Sequence, residues 1–269
     1  MTHIFHNRHQ DHNMLVVHTI PAFSDNYIWL FHHQSERQAY VVDPGDAAPV
    51  LKALQEHQLE LAGILVTHQH PDHIGGITEL LNRHDIPVYG PADINLVSHP
   101  LGNGDKLWLA DVDFSVLAVP GHTLNHLAYF GNTGSDQPPV LFCGDTLFAA
   151  GCGRLFEGSP QQMYDSLQSI ADLPAHTLVY CAHEYTLSNL KFALAVDPDN
   201  QDLQQRNASC MKLREKDIST VPFTLAEDLK TNPFLRSQSP AIIAAAKNRA
   251  STEDPVSVFA AIRAWKDNF

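Results

Sequence analysis

Positive charge is scarce in this sequence: seventeen lysines and arginines face thirty aspartates and glutamates, for a formal net charge of -13. Binding a phosphate backbone requires a basic face, so no nucleic-acid partner is expected. An anionic small molecule would also be repelled at long range, unless arginines and lysines gather at its site. A run of about 18 apolar residues, long enough to span a bilayer, does not occur, and no membrane partner is expected. The opening stretch MTHIFHNRHQDHN has no apolar core of the kind a secretory signal carries, which points to the cytoplasm. Cysteine is sparse as well. Cys143, Cys152, Cys181 and Cys210 form no CxxC pair and lie in or beside apolar segments, so they read as buried reduced thiols. Internal repeats and low-complexity linkers are lacking too.

The chain has 269 residues, above the usual single-domain length of roughly 100 to 200, so one large domain or one domain plus a smaller one is expected. Hydrophobic residues at 44% and charged residues at 17% are the balance of a folded protein. Apolar runs rich in β-branched and aromatic residues at 14–20, 27–31, 39–42, 63–66, 114–119, 126–130, 140–143 and 177–181 read as strands. Helical patterns at 47–57, 74–83 and 160–171 lie between some of them, the last with Ser159 as N-cap and Pro160 at the first helical position. This alternation predicts an α/β sandwich. After His183 the texture turns helical, at 185–196, 203–216 and 255–268, and no strand-like run follows. Two units are expected, 1–183 and 184–269.

Histidine is what the sequence has in excess, with seventeen copies. The most concentrated signal is HxHxDH, formed by His68, His70, Asp72 and His73 at the end of an apolar run. Imidazole nitrogens and carboxylates are the donors that hold borderline divalent metals. His68 and His70 can address one cation while Asp72 and His73, in the first helical turn, face a second. His122 in GHT, Asp145 in GDT and His183 each follow a strand-like run, where loops build sites. Taken singly, each could be a turn residue held by backbone hydrogen bonds. His126 reads as core or support, Asp43 as support or a turn former, and His3, His6, His9 and His12 as a loosely packed end.

In this order HxHxDH, GHT, GDT and a late histidine resemble the metallo-β-lactamase superfamily, and the segments 148–158, 183–192 and 232–236 resemble its glyoxalase II (hydroxyacylglutathione hydrolase) family. The resemblance implies an αββα metallo-β-lactamase-like sandwich with a C-terminal helical domain. It implies two divalent metal ions, zinc in the first instance with iron and manganese also suited, His68, His70 and His122 holding one and Asp72, His73 and His183 the other. Asp145 would bridge them. Arg154, Phe156, Tyr185 and Arg236 match family residues that contact glutathione. Two departures stand out: Phe156 replaces a tyrosine found in some members, and the stretch 237–239 lacks a lysine that some place there. As plain chain residues, Arg154 could be a surface charge, Tyr185 a packing residue and Arg236 a cap.

The implied activity is that of a metal-dependent thioester hydrolase. It hydrolyses S-D-lactoylglutathione to D-lactate and glutathione, a step in methylglyoxal detoxification, and acts as a monomer on a small molecule. Two metals sharing Asp145 would share a water and lower its pKa from about 15.7 towards about 7, with Asp72 and Asp145 as the catalytic carboxylates. Two alternatives stand beside it. A persulfide dioxygenase of the same fold is opposed by the intact GDT and the helical end, and a non-catalytic metal-binding member by the full set of seven ligands.

Overall fold

The computed structural model describes residues 14–134, 137–247, 249 and 253–269; the four histidines between 3 and 12 lie outside the described residues. The first layers run through β1 (Leu15–Ala22), β2 (Asn26–His33), β3 (Gln38–Val42), α1 (Ala47–His57), β4 (Glu60–Leu65), α2 (Pro71–Ile74), α3 (Ile77–Leu81), β5 (Val88–Gly90) and β6 (His99–Pro100). Next come β7 (Lys106–Leu109), β8 (Val112–Ala118), β9 (Leu127–Asn132), β10 (Val140–Gly144), the small hairpin β11 (Leu147–Phe148) and β12 (Gly151–Cys152), α4 (Pro160–Ala171) and β13 (Leu178–Cys181). The remainder is helical: α5 (Thr186–Val196), α6 (Gln201–Arg214), then β14 (Phe223–Thr224), α7 (Leu225–Thr231), α8 (Pro240–Ala246) and α9 (Pro255–Asp267).

Two six-stranded sheets result, in the orders β1-β2-β3-β4-β5-β6 and β14-β13-β10-β9-β8-β7. Successive side chains of a strand point to opposite faces, and β2 shows where each face goes. Tyr27, Trp29 and Phe31 pack between the sheets with Phe114, Tyr129 and Phe142. Ile28 and Leu30 point outward, under Val50 and Leu54 of α1 and Ile77 and Leu80 of α3. Because both faces are covered, β2 is buried almost throughout. Met163, Leu167 and Ile170 of α4 join the larger core on the side of the second sheet, completing the expected α/β sandwich.

Local chemistry sets the helix ends. Asp46 accepts a hydrogen bond from Ala48 N at 3.0 Å to cap α1, and Gln58 stops that helix in the left-handed region. Ser159 and Gln162 make a reciprocal capping box at α4, with Pro160 at its start. The expected single helix over 74–83 is instead two short pieces. Gly75 and Gly76 lie between them because a Cβ there would come within 2.6 Å of Gly45 O and 2.5 Å of Ala47 N. Against expectation, a strand follows His183: β14 adds antiparallel to β13 through Leu178 and Val179. At two residues it is too short to leave a pattern. All four cysteines are free and buried, as expected, and among the described residues no helix is long and apolar enough to cross a membrane.

Candidate metal centre and substrate cavity

The end of β4, Ile64 and Leu65, runs fully buried into Val66 and Thr67, and the chain then turns. His70 is extended, and Pro71 opens α2 behind it, which puts Asp72 and His73 in one helical turn. His122 arrives from the connection after β8, Asp145 from the end of β10 and His183 from the end of β13. Gly144 is required before Asp145. Its φ is +49°, and a Cβ would lie 2.3 Å from Thr67 Oγ1.

Three nitrogens converge on one point: His68 Nε2 lies 3.0 Å from His70 Nδ1, which lies 3.1 Å from His122 Nε2. Donors about 2.0–2.1 Å from one cation have such separations. Asp72, His73 and His183 make a second group, with Asp72 Oδ2 3.5 Å from both Nε2 atoms. Asp145 stands between the groups. Its Oδ2 is 3.4 Å from His122 Nε2, and its Oδ1 is 3.5 Å from His73 Nε2 and 3.4 Å from His183 Nε2.

The far sides of four of the five rings are held in turn. His183 Nδ1 is 2.8 Å from Asp25 Oδ1, His73 Nδ1 is 3.0 Å from Asp43 Oδ2, His122 Nδ1 is 2.9 Å from Arg154 O and His68 Nδ1 is 3.0 Å from Thr67 Oγ1. Thr67 donates its hydroxyl to Asp43 Oδ2 at 2.7 Å, leaving a lone pair for His68. Carboxylates and carbonyls accept, so these Nδ1 atoms carry protons and the Nε2 lone pairs face the two groups. Asn26 donates to Asp72 Oδ2 at 2.9 Å.

Electrostatics follow from this crowding. Burial pushes Asp145 up, but His73, His183 and His122 outweigh it and hold the carboxyl well below the usual range. Burial lowers His73, yet Asp145 and Asp43 push it up to about 9. His68, deeply buried beside other imidazoles, is held well below the ordinary histidine value. His73 Nε2 and Asp145 Oδ1 are buried with no hydrogen-bond partner. Orphaned donors and acceptors of this kind are costly unless something else satisfies them, and a pair of divalent cations fits. His126 stays outside the ligand groups: buried, it accepts from Asp145 N at 3.2 Å and stacks on His68.

His122 and Asp145 also line a cavity of about 570 Å³. Phe156 meets the rings of His70 and His122 edge to face, and Tyr185 stacks flat on His183 at 4.6 Å. Arg154, Phe156 and Tyr185 therefore sit on the cavity wall. Arg236 is not among the residues that line it. Its guanidinium pairs with Asp197, beside Asn200 and Lys230, because α5 ends in that acidic residue and draws the arginine there. The cations that line the cavity beside Arg154 are Lys191 of α5 and Arg263 and Lys266 of α9. Read only as a helical pattern, 255–268 leaves Arg263 and Lys266 unmarked. Two cations three residues apart share a helix face, and that was the signal to follow. Lys191 faces the cavity with its Nζ 5.7 Å from the Phe269 ring.

Comparisons with known proteins agree with this geometry. Residues 23–183 match the family model described as Metallo-beta-lactamase superfamily, and residues 184–269 match Hydroxyacylglutathione hydrolase C-terminus. The hydroxyacylglutathione hydrolase of Nitrosomonas europaea is 51% identical over 262 residues, covering 95% of this chain and 97% of the relative. That of Pseudomonas savastanoi pv. phaseolicola is 50% identical, covering 95% of this chain and all of the relative at 100%. Among solved structures, ETHE1 from Myxococcus xanthus superposes with a TM-score of 0.63 at 26% identity, over 93% of this chain and 98% of that one. With six metal-type donors in two groups and Asp145 between them, a C-terminal part matched to the hydroxyacylglutathione hydrolase model and relatives about half identical over nearly the whole chain, the chain belongs to the hydroxyacylglutathione hydrolase family of the metallo-beta-lactamase superfamily.

Proposed function

We propose that this protein hydrolyses S-D-lactoylglutathione to D-lactate and glutathione, the activity for which its relatives are named. The observation that carries the reading is the juxtaposition of a seven-donor centre with a cationic cavity that shares His122 and Asp145 with it. His68, His70 and His122 would hold one divalent cation and Asp72, His73 and His183 the other, with Asp145 between them; we take zinc as the metal, while the donors also suit iron and manganese. Such a pair polarises a carbonyl and lowers the pKa of water from about 15.7 towards about 7.

The residues of the chain do the rest. Asp72 is half-buried; burial raises its carboxyl, but His73 and the Asn26 hydrogen bond bring it below the ordinary value, so it is ionised and able to hold a cation and orient a water. Arg154, Arg263 and Lys266 offer charge to the glutathione carboxylates, and Phe156 and Tyr185 exclude water beside the rings they cover. A thiolate of pKa roughly 8.5 leaves without a strong general acid. Cys152, the one cysteine on the cavity wall, is buried, and burial pushes its thiol up, so it is a poor nucleophile. Residues 1–183 thus carry the chemistry, and 184–269 add recognition to that of Arg154 and Phe156. The buried free thiols support action in the cytoplasm, where we place a monomeric enzyme working on a small molecule.

The test is to incubate zinc-loaded protein with S-D-lactoylglutathione and follow loss of the thioester spectroscopically. Turnover is expected, and Asp145→Ala should reduce it on the order of a thousandfold while metal content falls. Protein holding two cations yet leaving the thioester intact would refute the assignment.

A further inference from the structure

A second gathering of histidines lies at the other end of the first sheet. His18 of β1 and His32 of β2 share a face, because His32 stands two residues from Leu30, the cross-strand partner of His18. His57, in the last turn of α1, stacks on the His18 ring with centroids 3.9 Å apart. His32 Nδ1 is 2.8 Å from His33 O and 3.2 Å from Glu36 O. Carbonyls only accept, so this nitrogen carries the proton and His32 Nε2 presents a lone pair.

That lone pair is 3.1 Å from His18 Nε2, the same spacing as His70 and His122 in the metal centre. Burial, with His57 and His32 nearby, holds His18 down to about 4, so its ring is neutral at neutral pH and free to donate electrons. The carbonyl end of α1 adds partial negative charge beside the pair. His18 is half-buried, leaving solvent access. The place is remote from the chemistry: Asn26, which touches Asp72, and His32 are six residues apart on β2, roughly 20 Å at the rise of a strand.

We propose that His18 and His32 form a separate binding site for one borderline divalent transition cation of the zinc, nickel and copper class, with water completing its coordination. The alternative occupant is a proton shared between the two rings.

Nickel(II) tells them apart. Protein already loaded with zinc at the catalytic centre is titrated calorimetrically with nickel, wild type beside His18→Gln and His32→Gln, with zinc content checked afterwards. Wild type should take up one more nickel than either variant, the variants losing affinity at that site by roughly tenfold or more. Anomalous diffraction from nickel-soaked crystals should show a peak between the two Nε2 atoms. Thioester turnover should be unchanged in both variants. Should the His32 variant fail to fold, the half-buried His18 variant decides alone. Equal nickel uptake by wild type and variant, or an anomalous map without a peak there, overturns the proposal in favour of the shared proton.

Discussion

Asn26 and Asp25 are adjacent in the chain, yet each holds a different member of one ligand group: Asn26 donates to Asp72, and Asp25 faces the Nδ1 of His183. Neither touches His68, His70 or His122. Replacing Asn26 with Ala should therefore loosen the second cation by roughly 10- to 100-fold and leave the first alone. Chelator competition read as two separate steps checks this; two steps that weaken together would contradict it. Neither role was legible in the sequence, since Asp-Asn reads as turn chemistry and its partners lie 46 and 158 positions away. The ligands were legible for the opposite reason. Four of them fall within six residues, and the other three each follow an apolar strand-like run.

Lys266 is the other residue whose setting decides its behaviour. Burial, aided by the neighbouring Arg263, lowers its ammonium to about 8. The folded value lies below the unfolded one, so the unfolded chain binds more protons between about 8 and about 10.4. Stability therefore rises with pH through that window, and the cost of the buried charge is fully present below about 8. Binding has the reverse sign, because an anionic substrate needs the charged form. KM for the glutathione thioester should climb as pH passes about 8, and Lys266→Met should show a raised KM without that inflection. An identical KM profile in the variant would remove Lys266 from recognition.

Helix α9 shows what periodicity conveys and what it hides. Its start at Pro255 under the Asp254 cap and its apolar face were readable, since Val258, Phe259 and Ile262 are all fully buried. Its docking was not. Arg263 reaches the carbonyl of Cys152 at 2.9 Å, and Asn232 reaches Gly151 O at 2.9 Å, so the helical end grips the β11–β12 hairpin through polar contacts that have no period. The same limit hid the pairing of Arg236 with Asp197, which lies 39 residues back. Arg236→Ala should leave KM unchanged and instead strand a buried carboxylate, at a cost of about 1–3 kcal/mol. For a chain of this size that lowers Tm by about 2–4 °C per kcal/mol, which a thermal melt beside steady-state kinetics can separate. A raised KM with an unaltered melt would restore it to the cavity.

For the molecule as a whole, the two sheets could be inferred from strand runs and the resemblance, but not the way they are laced together. Tyr27 N donates to Ala182 O at 2.7 Å and Glu184 N to Asp25 O at 2.9 Å, tying β2 of one sheet to the end of β13 in the other. The ligands divide along the same seam. His68, His70, Asp72 and His73 follow β4, whereas His122, Asp145 and His183 follow strands of the second sheet. A seam of this kind imposes an order in time. Each sheet can gather its own strands through neighbouring pairings, but the place where a cation sits does not exist until the sheets have met, so metal capture comes late in the protein's making. Refolding from urea should accordingly recover far-UV circular dichroism at one rate with zinc or with chelator present. Catalysis should return afterwards, at a rate set by zinc concentration, and secondary structure that itself waited for zinc would mean that the cation directs assembly from the start.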